Sequence, residues 1–315
     1  MSNSTIPFRP ALIGLVLAVA SGAGARGSLL DAKSLPPAVA KEYADAVAAS
    51  KARDSEPFDF IRQVASDTPK LDQHKRGRLA PLVRLFESMG ESGLWALVEA
   101  VAFKGPEDAK WSATARTAWQ AGVVEAIGRL RDPRMVPLLD ALLAALPSDA
   151  IVAREVVVAR GLFADDQGVR LLTRMAGTAG PHQDAVLAGL GRCRRVGAAE
   201  ALAAALIGAI RTSDGPRIRA VIESLSDVGN AWVWDAIPPV LGVEGDVVRQ
   251  LAARALVSAY VALEGHARQA ASNAIMVVDF VGTPGLIDAE RAAASPAGRD
   301  ALHALHARFE RNPTR

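Results

Sequence analysis

The chain has 315 residues, 50% of them apolar, and its 36 basic and 34 acidic residues leave a formal net charge of +2. This balance argues against a dedicated nucleic-acid binder, because such proteins usually carry a clear basic excess. The single cysteine, Cys193, excludes an intrachain disulfide and a thiolate metal cluster. Aromatic residues make up only 5%, and the abundant small and leucine side chains favour close packing of helices over a sheet.

The first segment of the chain is typical of a secretory signal. A short polar stretch with one basic side chain, Arg9, precedes the apolar run ALIGLVLAVA, residues 11–20. The small residues ending at Ala20 and at Ala25 both fit a small-x-small cleavage site. Because the run is shorter than the roughly 20 residues that a transmembrane helix needs, no stable membrane span is expected. We predict a cleavable signal peptide over residues 1–25 and a periplasmic or secreted bacterial protein.

Residues 26–80 are expected to form an N-terminal helical cap and a linker. One helix is predicted after Pro36, and a second over EPFDFIRQVA from Glu56. The polar segment SDTPKLDQHKRGR, residues 66–78, predicts a linker. A cap is needed because the exposed end of a repeat array must be polar on its outer side.

The segment AIGRLRDPRMVPLLDALLAAL, residues 126–146, predicts a pair of amphipathic helices. Apolar residues recur at helical spacing on both sides of a short break that contains Asp132. Asp132 is a good N-cap, and Pro137 fits the second helix only if that helix begins near Met135. So short a connection makes the two helices antiparallel.

The same pattern recurs along the chain with a period of roughly 30 to 45 residues, which is typical of an α-solenoid of stacked helix pairs. The residues that precede the turn in successive copies are Met89, Leu130, Phe163, Cys193, Val228 and Val281. The longer interval before Val281 predicts an extra helix over residues 265–280. Because apolar residues fill the position of Cys193 in the other copies, Cys193 is predicted to be a core residue.

Several segments, AIG at residues 126–128, DPR at 132–134 and VPLL at 136–139, resemble the HEAT-repeat family. The similarity is to short HEAT-like repeats of the phycobilisome-lyase type, and VRQLAARALV from Val248 resembles a first helix of that family. The resemblance implies an all-α, HEAT-like solenoid over residues 81–295, followed by a C-terminal helix and tail over 296–315. It implies a fold and not a function.

Four residues are candidates for contact with a partner. In HEAT-like repeats the second helices line the concave face, and Arg134, Arg170 and Arg174 fall on such helices, where they would form a basic stripe for an acidic partner. The balanced charge of the chain favours the alternative of ordinary solvated arginines. Trp232 aligns with the solvent-facing Arg134, and an exposed tryptophan is a binding anchor. Trp234 aligns with a core valine.

Two further motifs are candidates for chemistry. His303 and His306 are three residues apart on the last predicted helix, but a zinc site needs a third ligand, and only Glu310 is in register. Arg192 and its basic neighbours would lower the pKa of Cys193 and favour a nucleophile, against the predicted core position. We therefore expect no metal, no cofactor and no catalytic residue.

The sequence predicts an exported, non-enzymatic HEAT-like scaffold or adaptor that binds a protein partner and no nucleic acid. The alternative is an enzyme on the same scaffold. HEAT-like DNA glycosylases place Trp and Asp in a basic groove, and Trp232, Trp234 and Asp235 match those residue types. Predicted export and the near-zero charge oppose it. A chromophore-lyase-type protein is a third possibility, which rests on the repeat resemblance alone.

Overall fold

The computed structural model describes residues 28–178, 180–236 and 242–312. Every regular element in these ranges is helical, and they contain no β-strand, so the all-α prediction is confirmed. The α-helices, in chain order, are α1 Pro37–Arg53, α2 Glu56–Gln73, α3 Val83–Glu87, α4 Leu94–Val98, α5 Ala113–Leu130, α6 Val136–Ala144, α7 Ala150–Gly161, α8 Asp166–Ala176, α9 Gln183–Cys193, α10 Val196–Arg211, α11 Gly215–Val228, α12 Ala231–Asp235, α13 Gly242–Ala262, α14 Gly265–Val278, α15 Thr283–Ala293 and α16 Pro296–Glu310. The signal peptide predicted over residues 1–25 lies outside the described residues.

The helix pair predicted around Asp132 is present. After α5, the Asp132 carboxylate accepts a hydrogen bond from the backbone N–H of Arg134 at 3.0 Å, and Pro133–Met135 form a 3₁₀ turn. Helix α6 begins at Val136, so Pro137 lies in its first turn, where the missing N–H costs no helical hydrogen bond. The position of Pro137 thus sets the start of α6, as the sequence indicated.

The helices after α4 form two rows of neighbours. In the first row α5 contacts α7, α7 contacts α9, α9 contacts α11, and α11 contacts α14. In the second row α8 contacts α10, α10 contacts α13, and α13 contacts α15. Consecutive helices along the chain therefore alternate between the rows over most of this region.

The segment VRQLAARALV lies in the second row, as part of α13, and not among the first helices that it resembles. The preceding helix, α12, has only five residues and packs against α13 and α14. Helix α13 is the long helix that packs against α10, α11 and α14. The extra helix predicted over residues 265–280 is confirmed as α14, which belongs to the first row.

A left-handed residue marks the turn after four first-row helices. Its φ is 52° at Arg131, 51° at Ala164, 44° at Arg194 and 41° at Asp279. The last of these follows the buried Val278, whereas Val281, the predicted equivalent, is 78% exposed. The residue that precedes the last turn is therefore Val278 and not Val281. The prediction is wrong by three residues here, because the turn comes earlier in the chain.

The predicted linker over residues 66–78 is wrong in its first part, because α2 continues to Gln73 with Pro69 inside it. Tertiary contacts hold this polar segment in the helix. The carboxylate of Asp72 accepts hydrogen bonds from Ser112 Oγ at 2.8 Å and Thr114 Oγ1 at 2.7 Å, both at the start of α5. Burial raises the pKa of Asp72, but hydrogen bonds from Lys75, Thr114 and Ser112 outweigh that effect and lower it overall.

One hydrophobic core runs through the whole described region, from Leu30 beside the N-terminal helices to Phe309 on α16. Surface helices such as α8 and α16 contribute one apolar side to it, as amphipathic spacing dictates, whereas α5 and α7 carry buried residues around most of their circumference. None of the helices in the described ranges combines the length and the apolar character that crossing a bilayer requires.

Candidate functional site

The short helix α12 turns its two tryptophans in different directions. Trp232 is 68% exposed, whereas Trp234 is 8% exposed. The indole N–H of Trp234 donates to the backbone carbonyl of Val228 at 2.8 Å, which satisfies its one polar group inside the core. The Asn230 side chain caps α12 by accepting from the N–H of Val233 at 3.4 Å. The alignment therefore assigned both tryptophans correctly, one to the core and one to the surface.

Arg170 and Arg174 lie one turn apart on α8 and are both exposed. Residues at this spacing share a face of a helix. Within the described part of the chain, neither guanidinium makes a hydrogen bond or an ion pair with another residue. The two arginines thus give α8 a short basic edge that is open to solvent.

Arg134 serves a different purpose from the other predicted residues. Its guanidinium is bonded to Asp132, with Nε 2.9 Å from Oδ1, and lies over the ring of Trp95 at 5.1 Å. Its backbone carbonyl accepts a hydrogen bond from the hydroxyl of Tyr43. Arg134 therefore ties the start of α6 to α1 and α4. The Arg134 side chain is still 54% exposed, so the basic stripe that it would form with Arg170 and Arg174 stays a prediction.

Cys193 is buried at the end of α9, which confirms the predicted core position. Burial raises the pKa of its thiol to about 12, and the nearby charges of Arg160 and Arg194 do not reverse the effect. Because the thiolate is the nucleophilic form, the arrangement suits packing and not catalysis.

We expect the Cys193 thiol to be almost unreactive toward a disulfide reagent such as DTNB in the folded protein. A pKa raised from 9.0 to about 12 lowers the thiolate fraction about a thousandfold, and burial restricts access further. The measurement compares reaction rates at pH 8 in buffer and in concentrated guanidinium chloride. Rapid stoichiometric labelling of the folded protein would contradict the buried position.

The two C-terminal histidines, His303 and His306, both lie on α16. His303 is exposed on α16, and His306 lies 3.9 Å from Asp288 and 3.7 Å from Glu310, measured between nitrogen and oxygen atoms. These distances exceed hydrogen-bonding range. Among the described residues no group of three or more histidine, cysteine or carboxylate side chains is placed to hold a metal ion.

A pocket of about 470 Å³ opens between α2, α4 and the loop that precedes α5. The aromatic side chains of Phe58 and Trp119, both buried, form its apolar floor. The ring of Trp111 packs edge-on against Trp119, with ring centroids 5.8 Å apart. The charged side chains at its edge are Arg62, Glu99, Lys104 and Glu107. This combination of volume, apolar floor and a few polar groups is typical of a site for a small molecule or an inserted side chain.

One wall of this pocket is a π-helical turn, Glu99–Phe103, that continues α4. Such turns are frequent at functional sites. Glu99 is fixed there by Lys51, whose Nζ lies 3.0 Å from Oε1 and 5.1 Å from the centroid of the Phe58 ring. No residue pattern in this segment distinguishes a π turn from an ordinary helix, so the pocket could not be predicted from the sequence. None of the four predicted partner residues lines it.

The chain matches no protein-family model, and no curated protein matches its sequence.

Proposed function

We propose that the chain is an exported, non-enzymatic HEAT-like repeat protein that acts as a scaffold or adaptor for a protein partner. The observation that carries this proposal is the exposure of Trp232, at 68%. A tryptophan is costly to leave in water, and exposed tryptophans are enriched among the residues that dominate protein interfaces.

The proposed solenoid architecture is supported by the two rows of helices. Each first-row helix contacts the next one in the row, and left-handed residues recur at the ends of α5, α9 and α14. A stack of this kind builds an extended surface from many helices, which suits a long contact with another protein.

The proposed partner surface consists of Trp232 as an anchor and of the basic edge formed by Arg170 and Arg174. Among the described residues neither guanidinium makes an ion pair, so an acidic surface would gain contacts without first breaking existing ones. Arg134 is left out of this surface because its guanidinium is engaged with Asp132 and Trp95.

The glycosylase alternative loses one of the residues that suggested it. Trp234 is buried and its indole N–H is bonded to Val228, so its ring is not available to stack on a base. Trp232 and Asp235 remain exposed. Retention of the protein on duplex DNA at physiological salt would favour this alternative over the scaffold.

The proposal is tested by keeping Trp232, placing a photo-crosslinking residue at the exposed position 235 one turn along α12, and irradiating cells of the producing organism. We expect one discrete cross-linked protein in the exported fraction, with at least about 30-fold weaker capture on the purified Trp232→Ala variant, since an anchor contributes about 2 kcal/mol or more. The matched control is Ile207→Ala, which removes a 61% exposed apolar side chain from α10 and should leave capture unchanged. Equal capture by both variants, or an uncleaved cytoplasmic protein, would overturn the proposal.

A further inference from the structure

The pocket between α2, α4 and the loop that precedes α5 takes no part in the proposed partner surface. Its volume of about 470 Å³ lies within the range of small-molecule sites in proteins, about 300–1,000 Å³. All of the residues that line it belong to the described part of the chain. The pocket is therefore a candidate binding site that is independent of the protein partner proposed for Trp232.

Three aromatic side chains from different parts of the chain line the pocket. They are Phe58 from α2, Trp119 from α5, and Trp111 from the loop between α4 and α5. Phe58 and Trp119 are buried, whereas Trp111 is partly exposed. Trp119 also packs edge-on against Phe86, with ring centroids 5.3 Å apart. Because these contacts hold the rings in place, the pocket offers aromatic surface that is formed before a ligand arrives.

Small side chains create the space beside these rings. Ala96 on α4 and Ala100 on the π-helical turn are buried and line the pocket, and Ala65 lines it from α2. The π turn is closed by the backbone N–H of Lys104, which donates to the carbonyl oxygen of Glu99 at 2.7 Å. An empty volume that is bounded by aromatic rings and methyl groups suits a flat apolar group.

The charged side chains that line the pocket are two cations and two anions, namely Arg62, Lys104, Glu99 and Glu107. One of each sign is already paired, because Arg62 is bonded to Asp59. Glu99 is bonded to Lys51. Among the described residues neither Lys104 nor Glu107 makes an ion pair. A ligand with a single net charge would meet attraction from one of these two groups and repulsion from the other, so it would gain little.

We infer that this pocket binds a small aromatic molecule without net charge, either a neutral aromatic compound or a zwitterion that carries an aromatic ring. Aromatic rings attract one another in edge-on and offset arrangements, and Phe58, Trp111 and Trp119 are the rings that a ligand would contact. A zwitterion would also pair its carboxylate with Lys104 and its ammonium group with Glu107. A neutral compound would use the apolar floor alone.

The test is titration calorimetry of the full chain with L-tryptophan, a zwitterion, and with indole, a neutral molecule that has the same ring. L-leucine and indole-3-acetate are the reference compounds, since the first lacks the ring and the second carries a net negative charge. We expect L-tryptophan or indole to bind saturably and at least about tenfold more tightly than either reference compound. Tighter binding of L-tryptophan identifies a zwitterion as the ligand, and tighter binding of indole identifies a neutral compound.

Two variants assign the binding to the pocket. Trp111→Ala removes a partly exposed ring and should weaken binding about tenfold. Ala65→Leu fills the pocket from α2 and should abolish binding, while leucine, a good helix former, keeps α2 intact. The matched controls are Trp232→Ala on α12 and Ala49→Leu at an exposed position of α1. Both controls should bind within about twofold of the wild-type protein.

Thermal unfolding without ligand shows whether each variant is folded. The inference is overturned if neither L-tryptophan nor indole binds saturably, or if L-leucine or indole-3-acetate binds as tightly as both of them. It is also overturned if the folded variants Trp111→Ala and Ala65→Leu bind as well as their matched controls.

Discussion

Replacing Gly161 with alanine should lower the free energy of unfolding by about 3 kcal/mol or more, the upper range for overpacking. Gly161 ends α7 where that helix meets α9, and a Cβ at this position would overlap the backbone carbonyl oxygen of Gly189. A flexible side chain could move away, but this obstacle is backbone. The two helices would have to separate, and denaturant unfolding measures the resulting loss.

The matched control for this substitution is Gly208→Ala on α10. A Cβ at Gly208 meets no atom within 4 Å, so the change only removes the entropic cost of glycine in a helix. It should stabilise the protein by about 0.5–1 kcal/mol. If Gly161→Ala proved as stable as Gly208→Ala, the close contact between α7 and α9 would be wrong.

The same close approach recurs along the first row. A Cβ at Gly128 would lie 2.6 Å from the Cβ of Ala159, and one at Gly191 would lie 3.0 Å from the carbonyl oxygen of Ser224. Small residues thus set the spacing between successive first-row helices. The interior of this fold is built on backbone contact as much as on large side chains, which agrees with its low aromatic content.

The sequence predicted those parts of the fold that local chemistry determines. Asp132 and Asn230 cap helices with their own side chains, and Pro137 fixes the start of α6. Such signals lie within a few residues of the feature they specify. The exposure of Trp232 was also predictable, because the alignment of two helix pairs places Trp232 at the position of the solvent-facing Arg134.

The sequence did not predict features that depend on distant residues. Helix α2 continues past Pro69 because Asp72 accepts hydrogen bonds from the start of α5. The polar composition of this segment, taken alone, predicted a linker. Arg134 is engaged by Tyr43 and Trp95, which no helical periodicity connects to it. Helix α13 lies in the second row, against α10 and α15, although part of its sequence resembles a first helix.

The second large loss of stability is expected when Arg160 is replaced. Arg160 is a fully buried arginine on α7, and no sequence pattern pointed to it. Its Nε lies 2.6 Å from Oδ1 of Asp140, and its Nη1 lies 2.6 Å from Oδ2 of Asp165. The Asp165 carboxylate also caps α8 by accepting from the N–H of Gly168 at 2.7 Å. One buried guanidinium therefore joins α6, α7 and the start of α8.

We expect Arg160→Met to cost about 3 kcal/mol of unfolding free energy, at the low end for a broken buried ion pair. Methionine keeps much of the apolar volume, so the loss reflects two carboxylates without their cation. Both are partly exposed and regain some hydration, which is why the low end applies. The control, Arg170→Met, removes from α8 an exposed arginine that makes no ion pair with a described residue, and it should change stability by less than about 0.5 kcal/mol.

The pH dependence separates lost charge pairing from lost packing at Arg160. Burial alone would raise the pKa of Asp165, but the hydrogen bonds from Arg160 and Gly168 outweigh it and hold the pKa below the ordinary value of 3.8. A carboxyl group with a lowered pKa stabilises the folded state above its unfolded pKa, and that stability is lost as the pH falls through the folded value. The wild-type protein should therefore lose this contribution below about pH 4, and Arg160→Met should lose less over the same range. Parallel pH profiles of the two proteins would mean that Arg160 acts through packing alone.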